Sequence, residues 1–244
     1  MLYLRKGRYL ARTASGRADL NAAFALRGLC FGQGNGADTD SFDARCSHIL
    51  IEDSQIPALV GYFRVLPLMA GADILHSYSA QFYDLSALTR FPGPMLEIGR
   101  FCLHPNHPDP DILRIAWGAL TQWVDATGVR LLFGCSSFSG DAAEPHLEAF
   151  GLLHRKYRAP AQWAPKPKAP ERFDFETGLA SRSLNQPRAQ ADLPPLLRTY
   201  LLMGGWVSGH AVYDRQLHTM HVFTGVEIDA IPPARARLLR AVAG

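Results

Sequence analysis

A strand–helix–strand unit near the middle of the chain constrains its fold more than any other feature. Met95–Leu103 is an apolar run of strand length, closed by Pro105, Pro108 and Pro110. Beyond it, Ile112, Ile115, Ala116, Ala119, Leu120, Trp123 and Val124 recur at helical spacing and form a wide apolar stripe. Asp109-Pro110 or Asp111 opens this helix and Gly128 ends it, since proline suits a first helical position and glycine a left-handed exit. Arg130–Ser136 follows as a buried strand. Apolar strands alternating with apolar-striped helices need cover on both sides, so the expected class is α/β, a mixed sheet with helices on both faces.

The remaining pattern agrees. Arg8–Thr13 reads as a first strand. From Asp19, a good N-cap residue, Leu20, Ala23, Phe24, Arg27 and Phe31 share one helix face. His48–Glu52 and Leu59–Leu66 are strand-like and parted by a turn at Pro57, and Gln81–Leu88 has the pattern of a short helix. A helix is expected around Glu144–His154 and another near Pro194–Met203. Two strands, Trp206–Tyr213 and His218–Glu227, precede a basic tail helix, Pro233–Val242, with Arg235, Arg237 and Arg240.

Composition removes several classes of function. A net charge of +3 is too small for a nucleic-acid binder, which carries a concentrated basic face. Cys30, Cys46, Cys102 and Cys135 stand far apart with no CxxC pair, which points to a reducing compartment and away from a zinc ribbon. Cys46-Ser47-His48 offers two metal ligands, but nothing nearby completes a set of four. The N-terminal segment lacks the apolar core of a signal peptide, and no run approaches the ~20 apolar residues of a membrane span. The expected location is therefore cytoplasmic, with peripheral contact at the inner face of the cell membrane left open. Between Arg155 and Arg172, six basic residues face only Glu171, and four prolines make the stretch a loop. It is either a solvated connection or a docking surface for an acidic partner or an anionic membrane.

The charges that do not fit a bland core are more informative. Arg27 lies on an apolar helix face between Phe24 and Phe31, and a charge there needs a partner unless it reaches the rim. Arg64 interrupts VGYFRVLP, while Glu97 and Arg100 interrupt LEIGRFCLHP. Opposite charges on strands that otherwise read as buried suggest a polar network, whether structural or functional. Strict alternation puts Glu97 and Arg100 on opposite faces, so one shared site would require a bulge or twist. Asp38, Asp40 and Asp43 lie within a Gly-rich stretch, as turn formers or as a cation site. Two His-x4-Asp pairs, His48…Asp53 and His104…Asp109, match the short pattern of glycerolipid acyltransferases, and no further motif of that class follows.

Arg27-x3-Phe31, Asp40-x2-Asp43, Arg64-Val65-Leu66-Pro67, Phe82 with Leu85, and Glu97-x2-Arg100-Phe101 follow one another in the order of the acidic and basic signature of acyl-homoserine-lactone synthases. Those are N-acyltransferases of the GNAT fold. The chain more closely resembles the bacterial ornithine N-acyltransferases that make lyso-ornithine lipid. FDARCSHILIED, VGYFRV, EIGRFCLHP and the C-terminal LPPLLRTYLLMGGWVSGHAVYDRQLHTMHVF carry that likeness, over roughly residues 8–228.

The resemblance implies a GNAT-type, mostly antiparallel mixed sheet. It implies one N-acyltransferase domain over 1–228, carrying the basic loop at about 155–172, and a basic helical tail over 229–244. It implies transfer of a (3-hydroxy)fatty acyl group from acyl carrier protein to the α-amino group of L-ornithine, the first step of ornithine lipid biosynthesis. No cofactor would be tightly bound, because the donor sits on the carrier protein's 4′-phosphopantetheine. Glu97 and Arg100 become the candidate catalytic residues, with Glu97 as base; Arg27, Phe31, Asp40, Asp43, Arg64 and Phe82 become candidates for substrate binding. Arg64 or Arg100 would fork onto the substrate carboxylate. Asp40 and Asp43 would receive the side-chain ammonium, or instead brace Arg27 and Arg64. Phe31 and Phe82 would line an acyl channel or serve as ordinary core.

One departure bears on the donor. CoA-dependent GNAT enzymes carry a glycine-bearing loop that cradles the pyrophosphate, and here that place reads His104-Pro-Asn-His-Pro-Asp-Pro-Asp111. Proline removes the N–H donors that such a site needs, which favours a protein-borne thioester. The same charged signature admits acyl-homoserine-lactone formation from S-adenosylmethionine. It also admits a non-catalytic scaffold that binds carrier protein or lipid.

Overall fold

A computed structural model describes residues 2–32, 36–180 and 185–244. In the first third of the chain come β1 (Tyr3–Lys6), β2 (Tyr9–Thr13), α1 (Arg17–Cys30), β3 (Ser47–Asp53) and β4 (Leu59–Leu68). The middle holds β5 (Tyr83–Asp84), β6 (Met95–Leu103), α2 (Pro110–Thr127), β7 (Leu131–Ser139) and α3 (Leu147–Lys156). Then follow β8 (Lys166–Pro167), β9 (Arg172–Asp174), α4 (Phe175–Gly178), α5 (Gln186–Ala191) and α6 (Pro195–Leu202). The last elements are β10 (Trp206–Val207), β11 (His210–Asp214), β12 (Thr219–Glu227) and α7 (Pro233–Ala243). The chain divides into two compact units: Met1–Pro67 with Ile98–Val129 and Pro233–Gly244, and Leu68–Glu97 with Arg130–Pro232.

In the first unit β1, β2, β3 and β4 pair antiparallel in that order. Side-chain alternation sorts the two faces. Leu50 and Tyr62 pack with Ala23, Leu26 and Cys102 beneath α1. Ile51, Gly61 and Leu103 face α2, where Gly61 leaves room for Ile112: a Cβ there would lie 3.0 Å from the isoleucine side chain. The helix signals of α2 act as expected. Asp109 caps it by accepting from the Asp111 N–H at 2.9 Å, Pro110 opens it, and Gly128 leaves it at φ 65°. The tail helix α7 packs against α2, with Val242 over Gly118 and Arg240 paired to Asp125 at 3.2 Å; Lys6 Nζ donates to the Ala241 carbonyl at 2.9 Å, and Gln122 Nε2 to that of Ala243 at 2.8 Å.

In the second unit the Met95–Glu97 part of β6 pairs parallel with β7, ending at Glu97↔Phe133. β7 continues antiparallel beside β12, which pairs with β11 and β10, and β11 with β9. One face carries Phe138, Met220 and Val222 into a core with Phe150, Leu153, Leu197 and Leu201 from the helices. The directly paired residues of the other face include Phe133, Cys135, Ser137, His221 and Phe223.

Several details differ from the sequence reading, each for a local reason. The first strand is the second arm of a hairpin whose turn uses Gly7 at φ 57°. Gly16, not Asp19, stands at the α1 N-cap; Asp19 sits inside the first turn and accepts from the Ser15 N–H and from Arg12. Gln81–Leu88 is not one helix: it holds β5 and the first residues of a 3-10 turn over Ser86–Arg90. Tertiary contacts override its periodicity: β5 pairs with β8, and the Ala169 N–H bonds the Phe82 carbonyl. That pairing also places two residues of the basic loop in a strand. The strand expected over Trp206–Tyr213 breaks at Ser208-Gly209, where the Ser208 hydroxyl accepts from Phe223 N–H and donates to the His210 carbonyl. Short helices α4 and α5 lie outside the expected elements. Among the described residues no helix is long and apolar enough to cross a membrane.

Gly128→Ala forces a Cβ into left-handed backbone with open space around it, so its cost is conformational. We expect a loss of about 1 kcal/mol and a fall in Tm of about 2–4 °C, checked by thermal denaturation.

Candidate functional site

Within the first unit, residues far apart in sequence close a ring of alternating charge. Asp38 Oδ2 accepts from Arg27 Nε and Arg100 Nε, each at 2.9 Å. Asp40 takes Arg64 at 2.6 and 2.8 Å and stands 3.2 Å from Arg100. Asp43 Oδ1 accepts from Arg64 at 2.5 Å and Arg27 at 2.6 Å. Each carboxylate thus bridges two guanidiniums and each guanidinium two carboxylates, and the six formal charges cancel. Arg27 is 0% exposed, so only this pairing makes its burial tolerable. Its remaining nitrogen, 3.9 Å from Asp40, is roofed by Phe24 and Tyr62, whose ring centroids lie 5.3 and 5.9 Å from the guanidinium.

Local structure prepares the ring. The 38–43 loop is self-braced: Asp40 N–H bonds Asp43 Oδ2, and Phe42 N–H bonds Asp40 Oδ1. Gly28 lets it approach α1, since a Cβ on that residue would stand 1.9 Å from the Gly36 carbonyl oxygen. In β6, Arg100 adopts φ 52°, a left-handed conformation that interrupts the strand's alternation. Below the ring, His48 Nε2 contacts the Asp43 carbonyl at 3.0 Å and Nδ1 the Tyr62 hydroxyl at 2.7 Å. A carbonyl cannot donate, so Nε2 carries the proton and Tyr62 donates to Nδ1. Burial keeps this imidazole neutral, shifting His48 downward, and raises the Tyr62 phenol. Burial also pushes Asp40 up, but hydrogen bonds from Arg64 and the charges of Arg64 and Arg100 outweigh it, leaving the carboxyl below its ordinary range.

The second unit holds a different polar array. Glu97, 4% exposed, accepts from Tyr78 N–H at 2.8 Å, Ser79 N–H at 2.7 Å and Ser79 Oγ at 2.6 Å. Two backbone N–H groups and one hydroxyl thus converge on a single carboxylate. Ser79 Oγ also lies 3.5 Å from Cys135 Sγ. Phe82 packs on Tyr78 and, edge-on at 4.8 Å, on His221. Burial drives His221 down to about 3 and His210 down to about 4.

Of the residues singled out in the sequence, Arg27, Asp40, Asp43, Arg64 and Arg100 meet in the ring. There Asp40 and Asp43 brace Arg27 and Arg64, as one of the two sequence readings had it. Phe31 lies beside them, its ring 5.7 Å from the Arg100 guanidinium. Glu97 and Phe82 belong to the second unit. Asp38 is a full member of the ring whose acidic spacing was visible but whose partners were not. Ser79, Cys135 and His221 carried no signal of their own. The His-x4-Asp pairs dissolve: Asp53 pairs with Arg8, and Asp109 caps α2 while accepting from Tyr9 and Arg8. The Cys46/His48 metal idea dissolves as well, since both imidazole nitrogens are engaged.

Residues 23–118 match the family described as acetyltransferase (GNAT) domain. The fold is also that of an N-acyl amino acid synthase from uncultured soil microbes, with a TM-score of 0.53 over 92% of this chain and 94% of that one at 11% identity. The chain is an acyltransferase with a GNAT-type fold. It is 29% identical to an L-ornithine N(alpha)-acyltransferase of Brucella abortus, across 93% of this chain and 87% of the relative. To an L-ornithine N(alpha)-acyltransferase of Rhizobium meliloti it is likewise 29% identical, across 90% and 80%.

Arg27→Ala leaves Asp38 and Asp43 short of a buried counter-charge, and we expect a loss of about 3–5 kcal/mol in chemical denaturation. Arg27→Lys should not restore it, because one ammonium cannot fork onto both carboxylates. Acid sensitivity follows from the two imidazoles. Their folded values lie below the unfolded 6.5, so their contribution is complete above that pH and is lost as pH falls towards about 4 and 3. Between pH 7.5 and 5 each should cost about 2 kcal/mol, measured as a drop in Tm that His210→Asn reduces.

Proposed function

We propose that the chain transfers a fatty acyl group from the 4′-phosphopantetheine thioester of acyl carrier protein to the α-amino group of L-ornithine, giving lyso-ornithine lipid. The observation that carries this reading is the similarity to L-ornithine N(alpha)-acyltransferases along nearly the whole of this chain and most of theirs. The reaction is aminolysis of a thioester. An α-ammonium has a reference pKa near 8 and attacks only after losing a proton. Glu97 is the carboxylate assigned to that proton, either directly or through Ser79, and such help is worth about 10²–10⁴-fold. As the amine adds, the carbonyl oxygen takes up negative charge and draws on backbone N–H donors.

The charge ring is assigned a scaffolding role. All three ring arginines are engaged by aspartates; Arg100, whose side chain is the most exposed of the three at 8%, is assigned to the substrate carboxylate. Phe82, packed on Tyr78 and His221, is assigned to the acyl chain, and Phe31 to the wall beside Arg100. A carrier-borne donor suits α2, whose first turn is capped by its own carboxylate and carries no N–H at Pro110. Arg155, Lys156, Arg158 and Lys166 are exposed basic residues of the second unit and are assigned to the acidic carrier protein. Lys168 is used internally, donating to the Ala80 carbonyl at 2.6 Å.

Incubation of purified protein with acyl carrier protein thioester and ornithine, S-adenosylmethionine or glycerol phosphate, followed by mass spectrometry, tests the assignment. The expected product is N-acyl-ornithine; turnover with another acceptor alone would refute it. Arg158→Glu with Lys166→Glu should raise KM for the protein-borne donor by about tenfold while leaving turnover of a short acyl-pantetheine unchanged.

A further inference from the structure

The proposed reaction leaves the basic tail helix of the first unit unused. Helix α7 holds Arg235, Arg237 and Arg240 and no acidic residue. Its two faces differ. Ala236, Leu239, Val242 and Ala243 are half-buried, and Val242 sits over Gly118 of α2, which fixes the inner face. Ala234, Arg237, Leu238 and Ala241, at i, i+3, i+4 and i+7, are exposed and make the outer one. Leu238 is 61% exposed. The guanidiniums of Arg237 and of Arg235 at the flank have no hydrogen bond or ion pair among the described residues.

The helix is held from behind. Arg240 meets Asp125 of α2 at 3.2 Å, and Lys6 Nζ donates to the Ala241 and Val242 carbonyls at 2.9 and 3.3 Å. Asp125 is thereby neutralised, and Arg235 and Arg237 leave the outward side of α7 with a net positive charge. A second observation lies beside the helix. A cleft of about 690 Å³ opens where α7 meets the C-terminal end of α2. Leu2, Trp123, Ala126 and Ala243 give it apolar walls, and Arg240 is part of its lining. Tryptophan and small apolar residues next to arginines suit the boundary between lipid headgroups and acyl chains. The cleft decides between two kinds of anionic partner. An acidic protein answers the arginines alone, whereas a phospholipid brings a phosphate for them and a hydrocarbon chain for the cleft.

We propose that α7 and the cleft beside it form a docking site for anionic phospholipid, which holds the enzyme at a bilayer surface. The outer face of α7 lies along the headgroups, where Arg235 and Arg237 meet phosphates and Leu238 enters the upper acyl region. The cleft takes part of one chain. The proposal needs neither ornithine nor a carrier-borne thioester, because none of the residues assigned to the reaction belongs to this surface.

The full chain, with no substrate present, is sedimented with vesicles of phosphatidylcholine or of equal parts phosphatidylcholine and phosphatidylglycerol. The expected result is binding to the anionic vesicles that weakens as salt rises, and little binding to the neutral ones. Arg235→Gln and Arg237→Gln should each weaken partition about fivefold, and Leu238→Ser should weaken it as well. Arg235→Lys with Arg237→Lys should keep it, which separates lost charge from lost folding. Vesicles carrying brominated phospholipid should quench tryptophan emission, and Trp123→Phe should remove most of that quenching. No binding, equal binding to both vesicles, or wild-type partition in the doubly neutralised variant overturns the proposal. Quenching that survives Trp123→Phe overturns the assignment of the cleft. A raised KM of the doubly neutralised variant for acyl carrier protein thioester, in vesicle-free solution, would give this face to the carrier protein instead. Vesicle binding is read without substrates, so its failure leaves the ornithine reading untouched.

Discussion

The first unit depends on one closed ring of three arginines and three aspartates. A buried guanidinium is unfavourable unless its Coulombic partners and hydrogen bonds replace water, and an open chain of charges would leave its ends uncompensated. Closing the sequence Arg27–Asp38–Arg100–Asp40–Arg64–Asp43 back onto Arg27 removes the ends. The ring draws on α1, the 38–43 loop, β4 and β6, so none of these can shift without breaking a pair at low dielectric. Two local features that cost energy by themselves, the left-handed backbone at Arg100 and the glycine contact between α1 and the loop, are intelligible as what lets the ring close.

Because the ring neutralises itself, it has little charge left to offer a ligand. That separates two tasks a sequence reading merges. Signature charges are easily read as a list of binding groups, yet those of the ring are engaged with one another. The second unit is built otherwise. Glu97 accepts from two backbone N–H groups and a hydroxyl. A hydroxyl can pass a proton in either direction, which an arginine cannot.

What was legible in the sequence follows from how local each cause is. Asp109, Pro110 and Gly128 act within a turn of α2, and its bounds could be read directly. Arg27 announced itself because a lone charge on an apolar face needs a partner, although periodicity could not say that Asp38 would be that partner. The Gln81–Leu88 segment misled because its shape is set by β8, some eighty residues on, and by Lys168 on the Ala80 carbonyl. Ser79 and His221 were invisible for a related reason. Serine and histidine are unremarkable in composition, and their roles arise only from the neighbours that the fold assembles.

The start of α2 shows how a single helix end can narrow the choice of donor. A helix N-terminus offers up to four N–H groups to an anion, and a pyrophosphate needs several of them at once. Here the first helical residue is proline, the Asp111 N–H is held by the Asp109 carboxylate, and the Ile112 N–H closes onto the Asp109 carbonyl at 3.1 Å. The Asp109 carboxylate is further tied to Tyr9 and Arg8, which keeps it in place. An incoming pyrophosphate would have to displace that carboxylate and accept its negative charge close by. A donor whose phosphate travels on a carrier protein need not bring its charge to this point, and the proposed carrier-borne thioester meets no such penalty.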